Sequence, residues 1–293
     1  MSVSSLIFKS IYRIYQYQRR KSMKNMGGKP RYVNLGGISL FYWEFEGNSS
    51  QTIIFLHGLL DEGFSNRRII KELLGENYRI LVFDLPGYGK SKLPMVKFLY
   101  QIDVWASLLR EAFDILLLKS IILVGHSMGG LLAQHIVLRD KESVVSKLIL
   151  LAPGGMPHPK RQEMQELLFP KSENDVTTLL HHLYGVDVPD PNFLMRKTLV
   201  SVWNGIENTY LQENTIKRED EIFHGKKVKL IKIPTLILAG TRDEITPPAM
   251  MKEMKTYIKG SRLVWINDAK HAIHLERAKE IAKEIILFCK NKR

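Results

Sequence analysis

Short apolar runs alternate along most of this chain with segments whose apolar residues recur at helical spacing. The runs are rich in Ile, Leu and Val, which is typical of strands buried on both faces of a parallel sheet. We predict such strands at 52–58, 78–84, 120–126, 146–153, 233–240 and 262–267. The segments between and after them predict helices at 64–75, 99–118, 128–139, from about 247 and from about 276. This alternation predicts an α/β fold, with a mostly parallel sheet covered by helices on both faces.

Two segments depart from the alternation. Residues 31–45 predict a hairpin of two short strands joined at Gly36-Gly37. Residues 154–225 are polar, are interrupted by prolines and contain amphipathic pieces such as QEMQELLF and TTLLHHLYG. We therefore predict a core made of residues 29–153 and 226–293, with a helical cap inserted at 154–225.

The first 28 residues predict a basic amphipathic arm. Residues 1–31 contain eight Lys or Arg and no Asp or Glu, so they hold +8 of the formal net charge of +13. Apolar side chains recur there at helical spacing, namely Ile7, Phe8, Ile11, Ile14 and Tyr15. Such a helix suits an anionic membrane surface or a groove on its own domain or a partner, and the sequence leaves both open. Lys9 interrupts the apolar run, so we expect neither a membrane span nor a signal peptide.

Composition narrows the remaining classes. Because most of the positive charge lies in the arm, the body is not patterned as a nucleic-acid surface, and we expect no nucleic-acid partner. The chain has one cysteine, Cys289, which excludes an internal disulfide and favours a cytoplasmic protein, either free or peripheral at a membrane. Since no Cys/His cluster has metal-ligand spacing, we expect no metal and no cofactor. The sequence does not indicate an oligomeric state.

The stretch VGHSMGG at 124–130 is the main candidate for chemistry. It contains Gly-x-Ser-x-Gly between a predicted strand and a predicted helix, which is the context in which this motif places a nucleophilic serine on a sharp turn. The glycines allow the tight turn, and the following helix directs free N–H groups toward developing negative charge. A glycine-rich turn without function is the alternative, but it would not require this context. We predict that Ser127 is a nucleophile.

A serine hydroxyl needs a base and an acid that orients the base. Asp243 and His271 each follow a later predicted strand, so they lie at the carboxyl edge of the sheet and in the required chain order. Glu244 competes with Asp243, and His274 competes with His271. We predict that Asp243 and His271 complete a catalytic triad with Ser127.

An oxyanion hole is also required for acyl transfer. The motif predicts one N–H from Met128, and the loop LHGLLDEG predicts the second from Leu59. Other polar residues lie near these positions, but we interpret His57 and His126 as structural histidines and Asp84 as part of a turn.

These motifs together resemble the α/β-hydrolase superfamily. The resemblance rests on FLHG, FDLPGYGKS, LVGHSMGG, PTLILAGTRDEITP and DAKHAIHLE, and extends from residue 31 to the end of the chain. Within the superfamily the chain looks most like the capped carboxylesterase and monoacylglycerol-lipase-like branch. The resemblance implies an α/β-hydrolase fold whose cap corresponds to residues 154–225.

The expected function is therefore a serine carboxylic-ester hydrolase acting on lipophilic acyl esters, with monoacylglycerol as one candidate. Residues 1–25 are the expected contact with an anionic membrane. The alternatives are a carbon–carbon bond hydrolase of the meta-cleavage-product type, with Arg196 as the nominal carboxylate ligand, and a membrane-associated module without activity. Apolar residues of the predicted cap are expected to line an acyl pocket, namely Met164, Leu167, Leu168, Phe169, Leu179, Leu180, Leu183 and Tyr184.

Overall fold

A computed structural model describes residues 3–185 and 190–291 of the chain. The strands are β1 (Lys29–Leu35), β2 (Ile38–Phe45), β3 (Thr52–Leu56), β4 (Arg79–Phe83), β5 (Ile121–His126), β6 (Val145–Leu151), β7 (Thr235–Gly240) and β8 (Arg262–Ile266). They form a sheet in the order β1-β2-β4-β3-β5-β6-β7-β8. The hairpin strand β1 pairs antiparallel with β2, which pairs antiparallel with β4, and the strands from β4 to β8 are parallel. The predicted fold class and hairpin are confirmed.

Helices cover both faces of this sheet. They are α1 (Val3–Asn25), α2 (Arg67–Leu73), α3 (Ile102–Ile115), α4 (Met128–Arg139), α5 (Arg161–Leu167), α6 (Glu173–Leu183), α7 (Phe193–Trp203), α8 (Ile206–Asn214), α9 (Glu219–Ile222), α10 (Pro248–Tyr257), α11 (Ile273–Glu276) and α12 (Ala278–Lys290). Short 3-10 turns lie at Gly63–Asn66, Leu74–Glu76, Lys97–Leu99, Ile216–Arg218 and Gly225–Leu230. The helix predicted over 99–118 is shorter than expected, because the chain leaves the helix before Leu117, whose φ is +51°.

Two hydrophobic cores follow from the burial of the sheet on both faces. Along β3, Ile54 and Leu56 join the core beneath α3, α4 and α10, whereas Ile53 and Phe55 join the core beneath α2 and α12. Alternate side chains of a strand point to opposite faces, so an unbroken apolar run fills both cores. Cys289 of α12 lies buried in the second core.

The stretch between β6 and β7 holds helices α5 to α9 and forms a third, smaller core. Val176, Leu179, Leu199 and Trp203 pack there with Ile245, which follows β7. Ser172 begins α6 with a reciprocal capping box, in which its side chain and that of Asp175 each accept a backbone N–H. Residues 186–189 of the predicted cap lie outside the described residues. A cap role for this segment stays a prediction.

Helix α1 packs along α7 and against the loop that follows β3. Met23 is fully buried, and Gln16 donates a hydrogen bond to the Glu62 carboxylate. Arg20 Nη2 lies 2.7 Å from the second Glu62 oxygen, in a largely buried ion pair. The opposite side of the helix is exposed, with Tyr17 67% accessible. One side of the predicted arm therefore packs on its own domain, and residues 1–2 of the arm lie outside the described residues.

None of the helices in the described residues 3–185 and 190–291 is both long and apolar enough to cross a bilayer.

Candidate active site

Ser127 lies on a strained corner between β5 and α4. Its backbone has φ +52° and ψ −116°, a conformation that non-glycine residues rarely adopt. A Cβ on Gly125 would lie 2.3 Å from the Gly129 carbonyl oxygen, and one on Gly129 would lie 2.4 Å from the Leu56 carbonyl oxygen. Only glycine fits at these two positions, because the corner brings the start of α4 against the strand ends.

The structure brings Ser127, His271 and Asp243 into one hydrogen-bonded chain. Ser127 Oγ lies 2.8 Å from His271 Nε2, and His271 Nδ1 lies 2.9 Å from Asp243 Oδ2. The other Asp243 oxygen accepts the backbone N–H groups of Ile245 and Thr246, at 2.8 and 2.9 Å. The geometry defines a tautomer in which His271 donates from Nδ1 to Asp243 and accepts the Ser127 hydroxyl proton at Nε2.

The environment of Asp243 favours its ionised form. Burial alone would raise the pKa of this carboxyl, but the charge and hydrogen bond of His271, together with the hydrogen bonds from Thr246, hold the pKa below its usual value. Asp243 therefore remains an acceptor for His271 at neutral pH.

The two competing residues lie elsewhere. Glu244 is exposed, with a carboxylate oxygen 3.5 Å from His182 Nε2. His274 is buried, and its ring centroid lies 4.0 Å from that of His126, with the two ring planes tilted by 47°.

Leu59, Met128 and Ser127 all line one small cavity. Met128 is the first residue of α4, so its N–H has no partner within the helix. In the described residues, no acceptor pairs with the N–H of Leu59 or Met128. The oxyanion role of the Leu59 and Met128 N–H groups stays a prediction.

His57 and His126 are buried and hold other parts of the site in place. His57 accepts the Leu85 N–H at Nε2 and donates to the Gly58 carbonyl, and burial lowers its pKa to about 4. His126 Nε2 lies 3.1 Å from the His271 carbonyl oxygen, and burial lowers the pKa of His126 to about 3. Both rings are therefore neutral above pH 5, and His126 fixes the backbone that carries His271.

Asp84 organises the turn that follows β4. Its two carboxylate oxygens accept the backbone N–H groups of Gly63 and Lys90, at 3.0 and 2.9 Å. This arrangement agrees with the structural interpretation of Asp84.

Ser127 lies where two cavities meet. The larger cavity, of about 160 Å³, extends past His271 to Leu179, Leu183 and Trp203. The smaller cavity, of about 70 Å³, is lined by apolar side chains: Met128, Leu131, Met164, Ile216, Ile245 and Met250. Two separate spaces at one nucleophile suit the two halves of an ester.

The predicted pocket residues divide between these cavities, with two exceptions. Leu168, Leu179, Leu180, Leu183 and Tyr184 line the larger cavity, and Met164 and Leu168 line the smaller one. Leu167 and Phe169 line neither cavity, so their prediction as pocket residues is wrong: Leu167 packs against the third core, and Phe169 is buried. Met164 and Leu168, one helical turn apart, are the residues on the side of α5 and its following turn that faces the smaller cavity.

Arg196 does not lie among the residues that line either cavity. Its guanidinium donates to the Pro191 carbonyl at 3.1 Å. Arg161 does border the smaller cavity, but Glu219 and Asp220 pair with its guanidinium at 3.1 and 2.7 Å. Arg196 therefore lies away from both cavities, and the Arg161 guanidinium at the smaller cavity is already paired with carboxylates.

Some residues at the larger cavity are not singled out by the sequence. Tyr12 and Tyr15 of α1 line it, as does Asp61, two residues after Leu59. The signal that could have indicated them is the pair of tyrosines three positions apart on the apolar face of α1, and the acidic residues in LHGLLDEG. In the described part of the chain, no group of three or more His, Cys, Asp or Glu side chains has the geometry to hold a metal ion.

Comparisons with known proteins agree with this architecture. A family model for the alpha/beta hydrolase fold matches residues 51–181, and one for TAP-like protein matches residues 209–289. The AB hydrolase superfamily protein YisY of Bacillus subtilis is 30% identical, and the match covers 80% of this chain and 90% of YisY. Lipase 1 of Psychrobacter immobilis is 25% identical over 97% of this chain and 90% of its own length. The solved structure of the esterase EaEST from Exiguobacterium antarcticum superposes with a TM-score of 0.75, at 23% identity, over 90% of this chain and 100% of the esterase.

Proposed function

We propose that this chain, which belongs to the α/β-hydrolase superfamily, is a serine carboxylic-ester hydrolase that forms an acyl-enzyme on Ser127. One observation carries the proposal: a continuous hydrogen-bond chain from Ser127 through His271 to the buried carboxylate of Asp243. The similarity to Lipase 1 supports ester bonds as the class of substrate.

In the proposed reaction, the Ser127 oxygen forms a bond to the ester carbonyl carbon while His271 Nε2 takes the hydroxyl proton. The carbonyl π electrons move to its oxygen, and the N–H groups of Leu59 and Met128 donate hydrogen bonds to that oxyanion. Collapse of the tetrahedral intermediate expels the alcohol, which receives the proton from His271. Water then attacks the acyl-enzyme with His271 as base, releasing the acid and restoring Ser127.

Lipophilic acyl esters, with monoacylglycerol as one candidate, are the proposed substrates. The apolar side chains around both cavities support a lipophilic substrate, because burial of apolar surface stabilises binding by about 25 cal/mol per Å². Helices α5 to α7 supply many of these side chains, so we propose that residues 154–225 act as a cap over Ser127.

The carbon–carbon hydrolase alternative gains no support from the two arginines considered. Arg196 bonds to a backbone carbonyl, and two carboxylates pair with Arg161. Ester hydrolysis therefore remains the proposal.

We also propose that helix α1 makes a peripheral contact with an anionic membrane. Its outer face carries exposed apolar and basic side chains, namely Ile7, Arg13, Ile14, Tyr17, Lys21 and Lys24. Apolar side chains enter the interfacial region while lysine and arginine bind anionic headgroups.

We expect the triple variant Arg13→Glu/Lys21→Glu/Lys24→Glu to bind phosphatidylglycerol vesicles more weakly than the native protein. The charge-matched triple variant Lys252→Glu/Lys259→Glu/Lys283→Glu, at exposed positions outside α1, controls for net charge, and equal binding of both variants would remove the membrane proposal.

The proposed activity is tested with p-nitrophenyl esters from acetyl to palmitoyl and with a monoacylglycerol. Ser127→Ala should abolish turnover and labelling by a fluorophosphonate, whereas Ser107→Ala, an exposed serine on α3, should retain both. Turnover by Ser127→Ala at the native rate would overturn the assignment. An optimum at medium or long chains supports the lipophilic substrate, and activity on acetyl ester alone would contradict it.

A further inference from the structure

We propose that the larger cavity beside Ser127 is a leaving-group site for an alcohol that carries further hydroxyl groups, and that Tyr12 and Tyr15 of α1 form its outer wall. The inference rests on the proposed ester hydrolysis and deepens it, because it names the chemistry of the alcohol half of the substrate.

The position of His271 decides which cavity receives the alcohol. His271 must protonate the departing oxygen, so the alcohol leaves on the side of its Nε2 atom. The larger cavity has His271, Ala272 and Leu275 in its wall, whereas the smaller cavity is bordered by Met128 and Leu131, at the start of α4. The smaller cavity therefore takes the end of the acyl group that lies next to the carbonyl, and the larger one takes the alcohol.

The larger cavity carries polar groups that an acyl chain would not use. Three tyrosines line it, Tyr12 and Tyr15 from α1 and Tyr184 from the end of α6, and Asp61 lies among them. The ring centroids of Tyr12 and Tyr15 are 6.1 Å apart. Burial raises the pKa of Tyr12 and of Tyr184 well above the usual value, so both phenols keep their protons at neutral pH. A phenol donates and accepts, and an alcohol hydroxyl is the group that satisfies both.

His274 supplies a second and independent sign of a ligand. Its side chain is only 3% exposed and lines the same cavity, yet neither of its ring nitrogens has a hydrogen-bond partner among the described residues. Buried polar groups without partners are rare in proteins, and each calls for a ligand or a water. His274 Nε2 lies 3.9 Å from Asp61 Oδ2, a spacing at which one hydroxyl oxygen about 2.8 Å from each atom would bridge the two.

The polar side chains of His274 and Asp61 also disfavour an apolar alcohol as the leaving group. An alkyl leaving group would leave the buried ring nitrogens of His274 without a hydrogen-bond partner, which is unfavourable for a buried polar group. A leaving alcohol with vicinal hydroxyls, such as the glycerol half of a monoacylglycerol, would pair with them.

The outer wall is fixed to the rest of the site by a buried contact. Gln16 and Arg20, on the same side of α1 as Tyr12, both bond to Glu62, the residue that follows Asp61. Helix α1 therefore holds Tyr12 and Tyr15 at a fixed distance from the loop that carries Leu59.

A matched pair of substrates tests the proposal. We would measure kcat/KM for a 1-monoacylglycerol and for the methyl ester of the same fatty acid, and take the ratio of the two. The native protein should favour the monoacylglycerol. Tyr12→Phe and Tyr15→Phe each remove one hydroxyl while keeping the ring, and each should lower the ratio by about 2- to 10-fold, with a larger fall in the double variant. Tyr17→Phe, on the exposed side of the same helix, is the control and should keep the native ratio.

The outcomes separate this inference from the proposed activity. A native ratio in the double variant, or a native protein that shows no preference for the monoacylglycerol, would overturn the leaving-group site while methyl-ester turnover still supports the hydrolase. Absence of fluorophosphonate labelling at Ser127 and of turnover on both esters would instead overturn the proposed function, and the leaving-group site with it.

Discussion

Asp243 binds His271 with one carboxylate oxygen and two backbone N–H groups with the other. The distance from Asp243 Oδ2 to His271 Nδ1 is 2.9 Å, and Thr246 also donates its hydroxyl to Oδ2 at 2.7 Å. These contacts fix the plane of the carboxylate, so it accepts the Nδ1 proton of His271 along a single direction. The imidazole is thereby set for proton transfer at Nε2.

Replacing this carboxylate by an amide should remove that control. In Asp243→Asn the amide N–H₂ can face His271 Nδ1, which favours the tautomer that cannot accept the Ser127 proton. We expect kcat for an activated ester to fall by about 10⁴-fold, with little change in KM. Glu244→Gln is the matched control, since this neighbouring carboxylate is exposed. Equal kcat values for the two variants would show that Asp243 does not orient His271.

The corner at Ser127 should tolerate no side chain at Gly129. The Cβ of Gly129→Ala would lie 2.4 Å from the Leu56 carbonyl oxygen, a backbone atom that cannot move without disturbing β3. Overpacking of this kind typically costs about 1–3 kcal/mol of unfolding free energy. Denaturant unfolding should show this loss together with reduced fluorophosphonate labelling. Gly75→Ala meets no atom within 4 Å and is the control, and an equal effect of both substitutions would contradict the steric argument.

Acid should destabilise the protein through His57. In the unfolded chain a histidine binds its proton below pH 6.5, whereas in the native state burial lowers the pKa of His57 to about 4. The unfolded state therefore binds more protons between these values. The contribution of His57 to the free energy of unfolding is fully present above pH 6.5. This contribution is lost as the pH falls toward 4, at up to about 1.4 kcal/mol per pH unit.

The variant His57→Gln isolates this contribution. Its loss of stability relative to the native protein should be largest at pH 7 and should shrink as the pH falls to 4.5, as measured by urea unfolding across this range. Asn66→Ala removes a buried side chain of the same region that cannot titrate, so its loss of stability should not depend on pH. A constant difference for His57→Gln would contradict the neutral, buried histidine.

Lys147 should stabilise the end of the final helix. Its buried ammonium donates to the carbonyl oxygens of Phe288, Cys289 and Asn291, at 3.0, 2.7 and 2.8 Å. Positive charge at a helix C-terminus is favourable, and these carbonyls have no partner within the helix. Lys147→Met should lower the unfolding free energy by about 2–4 kcal/mol, whereas Lys283→Met on the exposed side of α12 should have little effect. Equal unfolding midpoints for the two variants would show that Lys147 does not stabilise the helix end.

The sheet and the position of Ser127 are predictable because their signals are local. Unbroken Ile, Leu and Val runs mark strands buried on both faces, and the glycines around Ser127 mark a corner that excludes side chains. Asp243 and His271 each follow a parallel strand, so topology alone brings them to one edge of the sheet. Local patterns of this kind require no knowledge of distant contacts.

The wall formed by α1 is not predictable in this way. The amphipathic pattern of the helix indicates one apolar side, but the choice between a membrane and a protein groove depends on its packing against α7 and Glu62, which are distant in the chain. The approach of Asp61 to His274 likewise brings the loop that follows β3 to helix α11.

The buried thiol of Cys289 is also a built-in reporter of motion. Burial raises its pKa to about 11, so the thiol carries almost no thiolate at neutral pH and lies out of reach of a modifying reagent. Since the chain contains one cysteine, any reaction with a maleimide records the moments at which α12 separates from the sheet. The labelling rate therefore reads out the local opening of this helix in the unaltered protein, without the introduction of a probe.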